Sequence, residues 1–226
     1  MVCGSPVAIK CPRKDTTWEQ LQSHWISASN EVRVLRHARH PHIALFHGVW
    51  FVDNAMRLIF EEVIGQSLLV FVTGRKLLIV WQRCILLDIS SALWYLHTRA
   101  PAIVHGDLKP ANTMVEMRIA RSDTKAMPFV KLIDFGLSRV LSPHARPLGG
   151  TRSYRAPEVC DRGRPVTASD VYSFGCTVFF ISSGSDPQNP FLPDDYASLE
   201  KWKKIYDKCV SINVADRPSI SKIHSE

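Results

Sequence analysis

The chain opens with a short β-branched run, Val7 to Lys10, which reads as a strand closing on a lysine. Thr16 to Arg39 then carries Trp18, Leu21, Trp25, Val32 and Leu35 along one imperfect face, a spacing that predicts a helix. His40-Pro41-His42 ends it, because proline cannot donate the next helical hydrogen bond. Ile43 to Phe51 and Met56 to Phe60 are β-branched and aromatic runs split by Asp53-Asn54, which predicts a hairpin and, with the first strand, a small sheet. Glu61 to Gly65 is a short connector. Beyond it the pattern turns helical: Trp81 to Thr98 places Ile85, Leu86, Ile89, Ala92, Leu93 and Leu96 at the period of a buried helix. Val130 to Ile133 is again strand-like. The expected class is α+β, with a partial sheet lobe in residues 1–60, a hinge in 61–65 and a mainly helical lobe in 66–226, together one domain.

With 226 residues the chain can bury one sizeable core or two closely packed lobes. Its net charge of +7 is spread along the sequence without a dense basic run, so it reads as solvated surface and not as a nucleic-acid patch. Six cysteines show neither Cys-x-x-Cys spacing nor a partnering histidine pattern, which argues against a zinc site or a disulfide framework and for a reducing setting. The N-terminus has no signal pattern. Val171 to Ser182 is interrupted and too short to span a bilayer. A soluble, cytoplasmic protein without membrane insertion is expected; the oligomeric state is left open.

The chemistry concentrates in His105-Gly106-Asp107-Leu108-Lys109-Pro110-Ala111-Asn112 and in the later Asp134-Phe135-Gly136. Phosphoryl transfer needs a carboxylate near the nucleophile, an ammonium for the moving charge and hard oxygen ligands for Mg²⁺. Asp107, Lys109, Asn112 and Asp134 supply that set. A turn-forming aspartate would account for Asp107 alone, but not for Lys109 two residues on or Asn112 five residues on.

These residues, read with Val7-Ala8-Ile9-Lys10 upstream and Ala156-Pro157-Glu158 downstream, resemble the protein kinase signature in its usual order. Val-Ala-Ile-Lys by itself is equally an ordinary buried strand; four motifs in register are not. The resemblance covers almost the whole chain and is nearest to the tyrosine-kinase-like group of Ser/Thr kinases. It implies a bilobal fold, ATP and Mg²⁺ as cofactors, and phosphorylation of Ser/Thr hydroxyls on a protein substrate.

By the same resemblance, Asp107 is the catalytic aspartate and Lys109 contacts the transferring phosphate. Asn112 and Asp134 are the Mg²⁺ ligands. Lys10 contacts the α- and β-phosphates and is held by Glu31, Glu19 lying too early. Ala8 and Met114 sandwich the adenine ring, Phe60 is the gatekeeper, and Glu61 and Val63 belong to the hinge on which adenine docks. Thr151 bonds the catalytic pair, Glu158 and Arg217 form a buried ion pair, and Asp170 anchors the catalytic loop. Leu35, Phe46, His105 and Phe135 stack into a column linking the lobes. Ser138, Ser142, Thr151, Ser153 and Tyr154 are candidate phosphosites by position.

Three departures stand against the pattern. Only Met1 to Pro6 precede the first strand where a Gly-rich loop is expected, so an N-terminal truncation and an exposed sheet edge at Val7 are anticipated. Gly106 replaces the usual arginine, which weakens the case for activation by a phosphate on the activation segment. Gly184 to Arg217 is short, and Arg118 to Pro128 reads as an irregular hairpin insertion. The first departure motivates the alternative of a pseudokinase or scaffold module.

Overall fold

The computed structural model describes residues 4–12, 17–52, 55–119, 125–141, 151–160, 164–187 and 197–226, the side chains of 197–199 excepted. Strand β1 (Val7–Lys10) leads to helix α1 (Trp18–Leu35), then to β2 (Phe46–Val52) and β3 (Ala55–Glu61). These strands form one antiparallel sheet in the order β1-β3-β2, with Lys10 opposite Leu58 and Ala8 opposite Phe60. Both outer strands therefore have a free edge among the described residues. The anticipated turn at Asp53-Asn54 lies outside them.

Helix α1 starts on a capping box: Thr17 Oγ1 accepts the Gln20 N–H, and Gln20 Oε1 accepts the Thr17 N–H at 2.9 Å. It ends at Leu35, four residues before the predicted end. Contacts of Arg39 set this end: its guanidinium donates to the carbonyls of Leu35 and Ala38, and its N–H is drawn to the Tyr95 hydroxyl, 56 positions on, at 2.9 Å. A second correction concerns Ile43, which is not part of β2. It forms a parallel bridge to Leu132, flanked by bonds from Ala44 N–H to Leu132 O and from Leu132 N–H to His42 O.

After the connector come β4 (Gln66–Ser67), α2 (Leu68–Val72) and α3 (Ile79–His97). The six apolar positions that predict α3 are all buried, Ile85, Ile89, Ala92, Leu93 and Leu96 completely. Strand β5 (Ile103–Val104) precedes the loop at Asp107, and β6 (Thr113–Ile119) pairs with β7 (Ala126–Leu132) in unbroken register from Thr113↔Leu132 to Ile119↔Ala126. The predicted irregular stretch thus contains two regular strand ends, Arg118↔Met127 and Ile119↔Ala126, which continue the register of the hairpin; residues 120–124 lie outside the described chain. Strand β8 (Arg139–Val140) pairs with β5.

Helices α4 (Pro157–Cys160), α5 (Thr167–Ser183), α6 (Ala197–Cys209) and α7 (Ile220–Ser225) complete the fold. Helix α5 is buried along most of its length and packs on α6 at Gly175, where a β-carbon would lie 2.6 Å from Cys209 Cβ. Gly184 ends α5 in the left-handed conformation at φ 72°. Part of the short stretch after Gly184 is α6; the part at 188–196 is outside the described residues. None of the described helices is long and apolar enough to cross a membrane.

Candidate active site

The loop between β5 and β6 is suspended from α5. Asp170, 1% exposed, accepts the backbone N–H of His105 at 2.8 Å and of Gly106 at 2.9 Å, one on each carboxylate oxygen. His97 Nε2 lies 2.9 Å from the same group. Gly106 has φ 78°, and a β-carbon there would approach the Leu137 carbonyl oxygen to 2.7 Å. Glycine at this position is what lets the loop turn so tightly.

Asp107 emerges from this turn with its carboxylate fixed by bonds from Lys109, Asn112 and Thr151. Oδ2 accepts the Lys109 ammonium at 2.7 Å and the Asn112 amide at 2.9 Å. Oδ1 accepts both the backbone N–H and the hydroxyl of Thr151 at 3.0 Å. Lys109 also donates to Thr151 Oγ1 at 2.5 Å. The Asn112 nitrogen is further committed to Asp107 O, which leaves its amide oxygen turned away from Asp107. Asn112 O in turn accepts the Ile133 N–H at 2.9 Å, bringing Asp134 alongside.

Asp134 follows β7 at φ 61°, a conformation aspartate tolerates better than most residues. Its Oδ1 accepts the Lys10 ammonium at 2.7 Å, and the same ammonium donates to Glu31 Oε2 at 2.8 Å. Glu31 is 1% exposed and holds the Phe135 N–H with its other oxygen at 3.1 Å. Burial works against the Lys10 charge, but the two carboxylates outweigh it and leave the ammonium pKa above the ordinary lysine value. For Asp134, burial raises the carboxyl and Lys10 overcomes it, so its pKa falls below the usual range.

These groups border a cleft of about 480 Å³. Ala8 and Lys10 from β1, Phe60, Glu61 and Val63 from the end of the sheet, and Met114 from β6 line it, with Glu31 and Asp134 at its inner end. Asn112, Asp107 and Lys109 stand outside the cavity and are joined to it by the Asn112–Ile133 bond. Sequence reading missed Ala44 and Ile133, which also line the cleft. Neither carries a signal, since an alanine or isoleucine beside a strand is ordinary core.

The expected ion pair is present: Arg217 Nη1 and Nη2 meet Glu158 Oε1 and Oε2 at 2.8 and 2.9 Å. His105 and Phe135 are in ring contact at 4.8 Å, and Leu35 and Phe46 are buried in the same core. The phosphosite candidates fare differently. Ser138 is fully buried and donates to His105 O, Tyr154 is buried, and the Thr151 hydroxyl is held between Asp107 and Lys109. None of these three is presented for modification; Ser142 lies outside the described residues.

A small antiparallel sheet set on a helical body, with a lysine from the first and a carboxylate loop from the second facing one cleft, defines the class of two-lobed kinase folds. Comparison with known proteins makes the assignment specific. Residues 3–226 match the family model of the protein kinase domain, and the chain belongs to that family. It is 30% identical to a probable serine/threonine-protein kinase of Dictyostelium discoideum over 97% of its length, which is 22% of that relative. Identity to a dual specificity protein kinase of the same organism is also 30%, over 96% of this chain and 10% of the other. An L-type lectin-domain containing receptor kinase of Arabidopsis thaliana is 34% identical over 68% of this chain and 23% of its own. The chain thus spans less than a quarter of each of these relatives.

Proposed function

We propose that this domain transfers the γ-phosphoryl group of Mg²⁺-bound ATP to Ser or Thr hydroxyls of a protein substrate. The observation that carries the reading is the environment of Asp107: one carboxylate held at once by an ammonium, an amide and a threonine. That geometry orients a base toward a hydroxyl while Lys109 stands ready for the charge of the transferred group.

The cleft fits the nucleotide. Ala8, Ala44, Met114 and Ile133 give it apolar walls for a flat ring, and Lys10 offers an ammonium at the inner end. The donors fit Mg²⁺ as well: Asp134 contributes a carboxylate kept ionised, and Asn112 an amide oxygen set free by its nitrogen's bonds to Asp107. A metal held there would neutralise phosphate charge. Asp107 would take the proton of the acceptor hydroxyl, and Lys109 would offset negative charge on the phosphoryl group in transit. Lys109 and Thr151, bonded to each other, resemble the Ser/Thr-directed form of the family, which supports a Ser or Thr acceptor.

The test is transfer of radiolabel from ATP to a generic protein acceptor with Mg²⁺, comparing the chain with Asp107→Asn. Incorporation that disappears in Asp107→Asn supports the reading. Equal incorporation in both removes it, and nucleotide binding without transfer by the unaltered chain points to a binding module.

A further inference from the structure

The connector that borders the cleft is tied down at both ends by groups that never reach the cleft. At its start, Glu61 Oε1 accepts the Leu45 N–H at 2.8 Å and the Lys131 ammonium at 2.5 Å. Lys131 is on β7 and only 8% exposed, so this contact is a charge-assisted bond shielded from water. At its far end, Ile64 N–H donates to Glu116 Oε1 on β6 at 3.0 Å. The other Glu116 oxygen takes Arg118 Nε at 2.7 Å, and the Arg118 guanidinium lies 3.5 Å from the centre of the Phe129 ring. Gly65 closes the arrangement, because a β-carbon there would sit 2.2 Å from the Val115 carbonyl oxygen. Glu62 and Val63 therefore hang between two anchors, both on the β6–β7 hairpin.

A ligand that hydrogen-bonds to connector backbone gains most when that backbone is already fixed, since ordering it on binding costs free energy. Arg118 belongs to the end of the hairpin, beyond the residues that line the cleft, and it acts on the connector through its bond to Glu116. We propose that Lys131, Glu116 and Arg118 are positioning residues that pre-set the connector for the purine end of the nucleotide. The proposal rests on the nucleotide reading of the cleft. It makes the β6–β7 hairpin a determinant of nucleotide affinity, although none of the three residues lines the cavity.

The experiment measures the Kd of a fluorescent Mg²⁺-ATP analogue, and kcat and KM, for the chain and for Glu116→Ala, Glu116→Gln, Arg118→Met and Lys131→Met. Losing one charge-assisted bond at an anchor corresponds to about a tenfold weaker Kd in Glu116→Ala and Lys131→Met. Arg118 is half-exposed, and its removal is expected to weaken Kd about threefold. Glu116→Gln keeps an oxygen for Ile64 and should recover most of the affinity. KM for nucleotide should rise in parallel while kcat at saturation changes less. Melting temperatures identify variants that bind poorly because they fold poorly, and Arg118→Met, at the surface, keeps the test open if Lys131→Met does not fold. Unaltered Kd in folded Glu116→Ala and Arg118→Met overturns the positioning role alone. A wild-type chain that binds no nucleotide overturns the positioning role and the nucleotide reading together.

Discussion

Arg217 meets Glu158 edge to edge, two guanidinium nitrogens on two carboxylate oxygens, and joins the segment after Thr151 to the start of α7. Arg217 is bound as well to the carbonyls of Ser211, Ala168 and Ile212, so its whole donor fork is used.

Arg217→Met leaves the Glu158 carboxylate part-exposed and still bonded to Ser169, and is expected to lower stability by about 1 to 3 kcal/mol in urea unfolding. Burial raises the Glu158 carboxyl, but the bonds from Arg217 and Ser169 prevail and its pKa lies below the ordinary glutamate value of 4.5. The stability it contributes is therefore complete above pH 4.5 and is lost as pH falls through the lower folded value. Unfolding measured from pH 6 downward should show this loss in the unaltered chain and a flatter profile in Glu158→Gln.

Gly106→Ala tests the turn beneath Asp107. With φ at 78° and the Leu137 oxygen 2.7 Å from the new carbon, a side chain is both strained and crowded. A loss of about 1 to 3 kcal/mol is expected, together with lower transfer activity. Gly106→Arg, which restores the residue usual in the resemblance, should behave no better, and thermal melting of the two variants side by side checks this.

Lys10→Met removes the ammonium shared by Glu31 and Asp134. Phosphoryl transfer should fall about a hundredfold, the scale for losing one pre-placed charge-stabilising group. Glu31→Gln should fall less, because Asp134 still holds Lys10. The folded Lys10 pKa is raised above 10.5, so its stabilising contribution persists below that pH and fades only as pH rises through the higher value. Asp134, lowered from 3.8, behaves in the opposite sense: its contribution is complete above 3.8 and is lost as pH falls through the lower folded value. Nucleotide Kd measured from pH 5 to 9 should therefore show no titration from either group.

Strand β2 is a sheet edge with Val49, Trp50 and Phe51 exposed, Phe51 to 58%. Edges of this kind, long and apolar, pair with other chains unless charged. Val49→Lys should reduce concentration-dependent light scattering and leave the melting temperature nearly unaltered, whereas Phe51→Lys should also lower it by a few degrees because Phe51 stacks on Trp25. The opposite edge at β1 is shorter, and Ile9→Lys there should have a smaller effect.

Local chemistry was the most readable part of this protein. The period of α3 named its buried face, and the position of Glu31 relative to the family motif singled it out; it lies 2.8 Å from Lys10. What escaped reading was decided by distant partners. Ile43 has the propensity of a strand residue, yet it bridges to Leu132 across the fold, and Arg39 ends α1 by contacts with carbonyls and a tyrosine on α3. Lys131 is instructive because a signal existed: a lysine inside an apolar strand requires a buried carboxylate. Choosing Glu61 among all the acids needed coordinates, since the two stand 70 positions apart.

The shared ammonium of Lys10 has a further meaning for what enters the cleft. Two carboxylates balanced by one cation leave the inner end with a surplus of negative charge. A naked triphosphate approaching it is repelled, whereas one that arrives with a divalent ion carries the missing positive charge with it. On the proposed reading, the inner end of the cleft would favour a triphosphate that arrives with its divalent ion over a bare one.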